Sequence, residues 1–372
     1  MEEAKIRRLV QAAVHSPSPL NCQPWSFEWD GRALHVLHRA SHAWLPSDPL
    51  WLMSFLGLGM VVEAMDIAAS CERLETRVTL LFPDRYRAVA ATDLERWATL
   101  SLAESARPPD PLAPEIPRRC SDRRPCLGGT LQAPVFDEVR AMPPRYPGTA
   151  FHLLESGRVP EELLAWFHSS LRMYTHYKAY WRNYGTALRL TERSARKIRT
   201  GFAPRGGGTP YSEALLELAQ YHFWPLNLVI RALARKREPG KPLAMLAGRA
   251  GLGCISIDSD APSRVVEAGR YAFRTWLRLG MEGYAVAPLG YYTVHSAVLD
   301  LHGPPDGMPP DVSGEFQRGS DLLRRAFALD ASRLPIWLFS TGLVPGPMPE
   351  DQRTLRRSLE QCYRSTAGSD PA

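Results

Sequence analysis

The chain has 372 residues, 45% of them hydrophobic, with a net charge of +6. Such a length supports a large core and, at roughly 150 residues per domain, two or three domains unless one fused unit takes the whole chain. Its 45 basic residues, 40 of them Arg, are interleaved with 39 acidic ones and form no polybasic tail or stripe, which argues against a nucleic-acid partner.

Six scattered cysteines with no CxxC pair fit reduced thiols and a cytoplasmic location better than a disulfide scaffold or a zinc site. Residues Met1 to Val14 carry an amphipathic helical pattern without the continuous apolar core of a signal peptide. The longest uncharged apolar run, Pro49 to Val62, has 14 residues, short of the ~20 that span a bilayer, so the expectation is a soluble protein with no membrane partner.

After the first helix, the segment from His15 to Trp25 contains three prolines, which exclude a helix and stiffen a loop bearing Ser18, Asn21 and Gln23. These side chains both donate and accept hydrogen bonds, as a heteroaromatic edge or a ribityl chain requires. The same residues also fit a structural turn with Trp25 in the core. Ser26 to Arg39 predicts a hairpin about Asp30-Gly31. His35, His38 and His42 have no metal-ligand spacing and read as ordinary strand and loop residues, so no metal is expected. Leu50 to Cys71 predicts a central buried helix whose Gly57 and Gly59 permit close packing. Strands are expected at Arg77 to Phe82 and Trp97 to Leu102, and Arg107 to Pro117 reads as a proline-rich linker.

The linker leads into Arg118-Arg119-Cys120-Ser121-Asp122-Arg123-Arg124-Pro125, four guanidiniums and a hydroxyl in eight residues. Arginine forks bind phosphate oxygens, so the octamer is a candidate anion cradle, against the plain reading of a solvated basic turn. Beyond it the pattern predicts a helix around Val135 to Met142 and a strand at Ala150 to Leu154. A long helical stretch follows at Glu161 to Lys197, with Tyr174, Tyr177, Tyr180, Trp181 and Tyr184 as a stripe that suits either a core or a planar-substrate shelf. Arg205 to Pro210 is a glycine-rich break without phosphate-loop spacing, a lid or a linker. Helices at Leu215 to Arg235 and Ser263 to Gly280 flank a strand at Gly253 to Asp258. Glu267, Arg270 and Arg274 suggest ordinary pairing along the second of these helices. An extended run from Tyr284 ends at Pro288-Leu289-Gly290, where a glycine admits a ligand to the backbone. Leu334 to Thr341 reads as the last strand, followed by a basic cluster of Arg353, Arg356 and Arg357 and a tail from Ser365.

The loop Ser16-Pro17-Ser18-Pro19-Leu20-Asn21-Cys22-Gln23-Pro24-Trp25 resembles the APSxxNxQPW motif of the FMN-dependent nitroreductase superfamily at every fixed position but the first. Arg119-Cys120-Ser121-Asp122-Arg123 resembles the family's RxSxR/K motif. The two occur in reversed order, which is similar to the Acg-type branch, where two nitroreductase-like halves are fused. The resemblance covers most of the chain, thinly over 160 to 250.

The resemblance implies an α+β fold of two fused halves, each with a mainly antiparallel sheet flanked by helices, forming an internal pseudo-dimer. The halves would be residues 1–117 and 118–364, the second holding an aromatic insertion at about 160–250, with 365–372 as a disordered tail. FMN would lie between them: Arg119 and Ser121 on the phosphate, Arg356 or Arg357 as a second phosphate contact, and Arg123 near the ribityl chain or the N1 edge. Ser18 and Asn21 would line the ring, Gln23 and Trp25 would support the loop, and the Gly290 amide would face N5. Three departures stand out: no second copy of the proline-serine loop, no arginine before Gly342 in the last strand, and an aromatic segment the family does not share. The implied activity is ping-pong hydride or electron transfer, with NAD(P)H as a donor and a small planar organic molecule as the other substrate. A flavin-sequestering protein without turnover and a structural homologue without flavin are the alternatives. A monomeric pseudo-dimer or a homodimer fits equally.

Overall fold

The computed structural model describes residues 2–43, 48–82, 94–170, 187–202 and 248–367, together with positions 176, 177, 180, 223, 225, 226, 229 and 246. Asp30 sets the first hairpin. Its Oδ1 accepts the amides of Arg32 and Ala33 at 2.8 and 2.7 Å, while Gly31 takes φ +91, the left-handed region that a side chain disfavours. Strands β1 (Trp25–Trp29) and β2 (Ala33–His38) therefore pair antiparallel, with Phe27 opposite Val36. Strand β4 (Glu95–Glu104) pairs with β2, and β3 (Leu74–Leu80) pairs with β4, again antiparallel. The fifth member, β9 (Tyr363–Ser365), arrives from the far end of the chain and runs parallel to β1, giving the order β3-β4-β2-β1-β9.

A second sheet has the order β5-β6-β8-β7 and is antiparallel throughout: β5 (Thr149–Glu155), β6 (Gly251–Ile257), β8 (Leu334–Leu343) and β7 (Tyr284–Pro288). All seven residues of β6 and nine of the ten in β8 are buried, as expected for interior strands covered on both faces. The architecture is thus α+β, two mainly antiparallel sheets flanked by helices. Helix α1 (Glu3–Val14) turns Ile6, Leu9, Val10 and Ala13 inward, an i, i+3, i+4, i+7 stripe, against α2 (Leu52–Cys71).

The core is organised by α2 and α6 (Pro262–Met281), each of 20 residues, which pack on each other. They meet at Gly59 and Gly269. A Cβ on Gly59 would lie 2.0 Å from the Val266 carbonyl oxygen, and one on Gly269 would lie 2.2 Å from that of Leu56, so only hydrogen fits at the crossing. Helix α2 is long and apolar enough to cross a bilayer, but 94% of its apolar window is buried within the protein. Beside the crossing sits Glu63, fully buried. Its carboxylate accepts Arg274 Nε at 2.7 Å, Arg270 Nε at 3.1 Å and the Tyr146 hydroxyl at 2.8 Å. A buried charge is tolerated only when paired and hydrogen-bonded, and this one ties the two long helices together.

Several sequence expectations change. Arg270 does pair with Glu267 at 3.3 Å, but Arg274 turns instead to Glu63 and to Asp110 at 2.8 Å, because the fully buried Glu63 carboxylate needs the charge. The stretch Glu161 to Lys197 is not one helix: α4 (Glu161–Ser169) and α5 (Glu192–Ile198) are separate. The Ser169 and Ser170 hydroxyls bond back to the carbonyls of Trp166 and Phe167 at the end of α4, and Thr191 caps α5 by accepting the Ser194 amide at 3.1 Å. Tyr177 and Tyr180 are buried, whereas Tyr174, Trp181, Tyr184, Arg205 to Pro210 and nearly all of Leu215 to Arg235 lie outside the described residues. Strand β8 is not the last, and Ser365 does not open a loose tail. It belongs to β9, and the Thr366 amide donates to the Trp29 carbonyl at 2.8 Å. Between β7 and β8, α7 (Gly290–His302) and α8 (Pro310–Ala326) form a helical pair with α4 over a second apolar cluster centred on Trp166, Tyr292 and Phe316.

Candidate anion site

The proline-serine loop is held in an uncommon shape. Leu20, Asn21 and Gln23 take φ of 45, 57 and 50, three left-handed non-glycine residues within four positions. Each such residue costs on the order of 1 kcal/mol or more, so the surroundings must over-determine the conformation. They do. Ser16 Oγ donates to the Met60 carbonyl on α2 at 3.2 Å, and Ser18 Oγ accepts the Gln23 amide at 2.9 Å. Trp25 seats beside Gly57, where a Cβ would lie 2.9 Å from its ring.

The polar side chains of the loop face other parts of the chain. Asn21 Nδ2 donates to the carbonyls of Gly201 (2.9 Å) and Leu355 (2.8 Å), and its Oδ1 accepts from Arg356 Nη1 at 2.7 Å. Gln23 donates to the Arg199 carbonyl at 2.8 Å and accepts the Arg357 amide at 2.8 Å. Arg357 Nη2 donates to the carbonyls of Gln23 and Trp25. Asn21 and Gln23 are therefore clamps that fasten residues 199–201 and 355–357 to the loop, while Ser18 braces the loop itself through the Gln23 amide. The expectation that Asn21 lines a ligand changes accordingly, because its carboxamide is already satisfied within the chain.

Clamping brings Arg356 to Arg119, which lie 237 positions apart in the sequence but line the same cavity of about 400 Å3. That volume falls within the ~300–1,000 Å3 usual for small-molecule sites. His15, Arg199, Arg353 and Arg357 also line it, against Glu360 as the one acidic residue. Arg119 Nη2 donates to the His15 carbonyl at 3.1 Å, and the guanidinium lies 4.4 Å above the Trp276 ring. Its Nε and Nη1 are buried without a hydrogen-bond partner among the described residues, as are Nε of Arg356 and Nε of Arg357.

Unpartnered buried donors on cations are costly, and their perturbed acidities reflect this. Burial, then repulsion from Arg356, brings Arg119 down to about 9, and burial brings Arg356 down to about 10. Burial together with the charges of Arg356 and Arg119 holds His15 at about 4, well below an ordinary histidine. All three cases describe a pocket with excess positive potential and open donors. Its natural complement is an anion with several acceptor oxygens.

The rest of the basic octamer does not join it. Arg118 pairs with Glu115 at 2.8 Å, and Arg124 is chelated by Asp122 and also donates to the Gly346 carbonyl. Arg123 is exposed and lines no part of the cavity, so the four guanidiniums do not converge. The reason is register: Asp122 N donates to the Val286 carbonyl at 3.2 Å and Arg249 grips the carbonyls of Asp122 and Arg124, which fixes residues 122–124 against the second sheet. Ser121, two positions from Arg119, is half-buried and outside the cavity lining, as is Gly290 at the start of α7. Sequence reasoning missed His15 and Arg199, and it saw Arg353 in the C-terminal basic cluster without giving it a role. The signal for His15 was its place directly before the proline-serine loop; Arg199 gave none.

Elsewhere His35 bonds Thr99 and Asp30, while His38 stacks on Trp97 and meets Ser54. Among the described residues no group of three His, Cys, Asp or Glu is placed to hold a metal ion. Compared with known families and with curated proteins, the chain matches no family model and no curated sequence.

Proposed function

We propose that the chain binds FMN through its phosphate at the Arg119–Arg356 cavity and works as a nitroreductase-type flavoprotein, its two sheets being the fused halves of an internal pseudo-dimer. The observation that carries the reading is the meeting of Arg119, from the Arg-Ser motif, with Arg356 of the C-terminal basic cluster, which Asn21 of the proline-serine loop holds, both with buried guanidinium nitrogens that have no hydrogen-bond partner among the described residues. The reciprocal glycine crossing of α2 and α6 supports a two-halved architecture.

In this reading Arg119 and Arg356 hold the phosphate, with Arg353 and Arg199 supplying further positive potential around it. Asn21 positions Arg356 by accepting from Nη1, and Gln23 positions the neighbouring backbone by accepting the Arg357 amide. Bound FMN supplies hydride or electron transfer between NAD(P)H and a small planar organic acceptor; the protein supplies binding, orientation and electrostatics. Ser121, Arg123 and Gly290 do not line this cavity, and their assignments to the phosphate, the ribityl chain and N5 rest on the resemblance alone.

The test begins with colour and calorimetry. Purified protein should carry or take up FMN, and Arg119→Ala and Arg356→Ala should each weaken it by about ten- to a hundredfold, since a charge-assisted contact is worth ~1.5–3 kcal/mol. Unchanged affinity in both variants removes the phosphate assignment. Anaerobic NADPH titration then separates an oxidoreductase, which bleaches, from a flavin-sequestering protein, which stays yellow.

A further inference from the structure

A second cavity, of about 460 Å3, shares Arg119 and Cys120 with the basic one but differs in character. Its other walls are the C-terminal end of α6, the start of β7 and the segment after β8, with Trp276, Leu277, Met281, Tyr284, Val286 and Met348 making it predominantly apolar. The polar groups around it have partners within the chain. Trp276 Nε1 donates to the Cys120 carbonyl at 3.2 Å, and the Tyr284 hydroxyl donates to the Thr130 carbonyl at 2.9 Å. Asp122 is taken by Arg124, and Arg118 by Glu115. What the lining offers is Arg119, a cation lying over Trp276, with Nε and Nη1 buried and without a hydrogen-bond partner among the described residues.

An apolar chamber with one unsatisfied cation recognises a narrow class of molecule. A neutral hydrocarbon would leave the guanidinium unpaired, at the desolvation cost of a buried charged donor. A phosphate or a dicarboxylate would bring a second charge into apolar walls with nothing to meet it. We propose that this cavity binds a small organic acid with a flat apolar body, its single carboxylate on Arg119 and its body among Trp276, Met281 and Met348. Both methionines are unbranched thioethers that conform to planar rings of varied shape. The proposal goes beyond the flavin reading and does not depend on it: it needs Arg119 and no cofactor.

The probe is 2-naphthoate, with 2-naphthamide as its uncharged isostere, titrated into the full chain by calorimetry. Naphthoate should bind saturably at one site and the amide at least about tenfold more weakly, the difference a charged partner makes. Two variants locate the site. Met348→Glu places a carboxylate among the cavity walls beside Arg119 and should abolish naphthoate binding, whereas Met348→Leu should keep it. Gly280→Leu adds a side chain at the cavity rim, where a Cβ would meet nothing within 4 Å, and should weaken naphthoate at least about tenfold through steric occlusion of an otherwise pre-formed pocket. Sulfate binding at the basic cavity should survive Gly280→Leu, which also shows that the variant is folded. Equal binding of acid and amide overturns the proposal, and so does naphthoate affinity unaffected by both Met348→Glu and Gly280→Leu. Loss of sulfate binding in the unmodified protein, with naphthoate retained, instead removes the phosphate assignment alone.

Discussion

Anion binding at the basic cavity should draw a proton onto His15. In the free protein its imidazole sits at about 4, through burial and through repulsion by Arg356 and Arg119, so it is neutral at physiological pH. A bound dianion cancels the two guanidinium charges and adds attraction, which raises the affinity of His15 for a proton. Recovery to the ordinary value near 6.5 is a shift of ~2.5 units, or at most ~3.4 kcal/mol of coupling at about 1.36 kcal/mol per unit. By linkage, proton uptake then peaks between the free and bound values, at no more than about 0.9 proton per anion, and affinity rises by at most ~30-fold from pH ~7.5 to pH ~5, because burial, the largest cause of the lowered value, persists in the complex. The sign follows from the direction: a ligand that raises a pKa binds more tightly as the pH falls through the interval between the free and bound values. The other groups lining the cavity do not change charge in that window. Its own backbone amide and the Ser358 hydroxyl hold Glu360 below the usual carboxylate range, burial holds the Cys120 thiol above its own, and Arg119 and Arg356 remain protonated. Sulfate is the right ligand because it stays dianionic throughout. Calorimetry in buffers of different ionisation enthalpy reads the uptake directly, and His15→Gln should abolish it while retaining the contact of Arg119 to the backbone carbonyl. Sulfate that binds equally at both pH values, or uptake that persists in His15→Gln, refutes the coupling.

Other perturbations test the frame around the site. Glu63→Ala strands Arg274 and Arg270 in the core and should cost about 3–5 kcal/mol, read as a lower denaturation midpoint in urea. Gly59→Val forces α2 and α6 apart where hydrogen alone fits and should prevent folding, or lower Tm sharply, whereas Gly157→Ala, where a Cβ meets nothing within 4 Å, should leave Tm within a degree or two. Asn21→Ala removes the bonds to Gly201, Leu355 and Arg356; anion affinity should fall at least about tenfold, and amide exchange at 355–357 should speed up. Asp48, buried and pushed up to about 7 by that burial, binds its proton more tightly folded than unfolded; stability should therefore fall as pH rises from ~4 to ~7, and Asp48→Asn should flatten the profile.

The elements legible in the sequence were those whose local signal and tertiary role agree. The Asp30-Gly31 hairpin, the unbroken apolar run of α2 and the alternating faces of α6 each fold as their patterns dictate. Gly59 was read as a packing residue, and it is one, but its partner Gly269 could not be paired with it from spacing, because the contact spans two helices. The site divides in the same way. Arg119 was visible as a charge in a motif and Arg356 as one of a basic cluster, whereas the fate of Asn21 and Gln23 depended on segments at 199 and 355 that no local rule brings to the loop. Arg123 and Arg124 differ from Arg119 only through the pairing of Asp122 with Val286, a long-range register.

Strand β9 has a consequence for the order in which the protein is made. The first sheet gains its fifth strand only from residues 363–365, and Arg356 reaches the loop around Asn21 only through the same returning segment. On the ribosome, therefore, α1 and the four strands of the first sheet emerge and must persist with β1 as an open edge while more than two hundred further residues are synthesised. Such long-range closure is slow, and an unpaired edge during that interval invites association with other chains. The cavity that gathers His15, Arg119 and Arg356 cannot exist until residues 355–357 have emerged. A chain cut before Leu355 should emerge with both central helices but without the site.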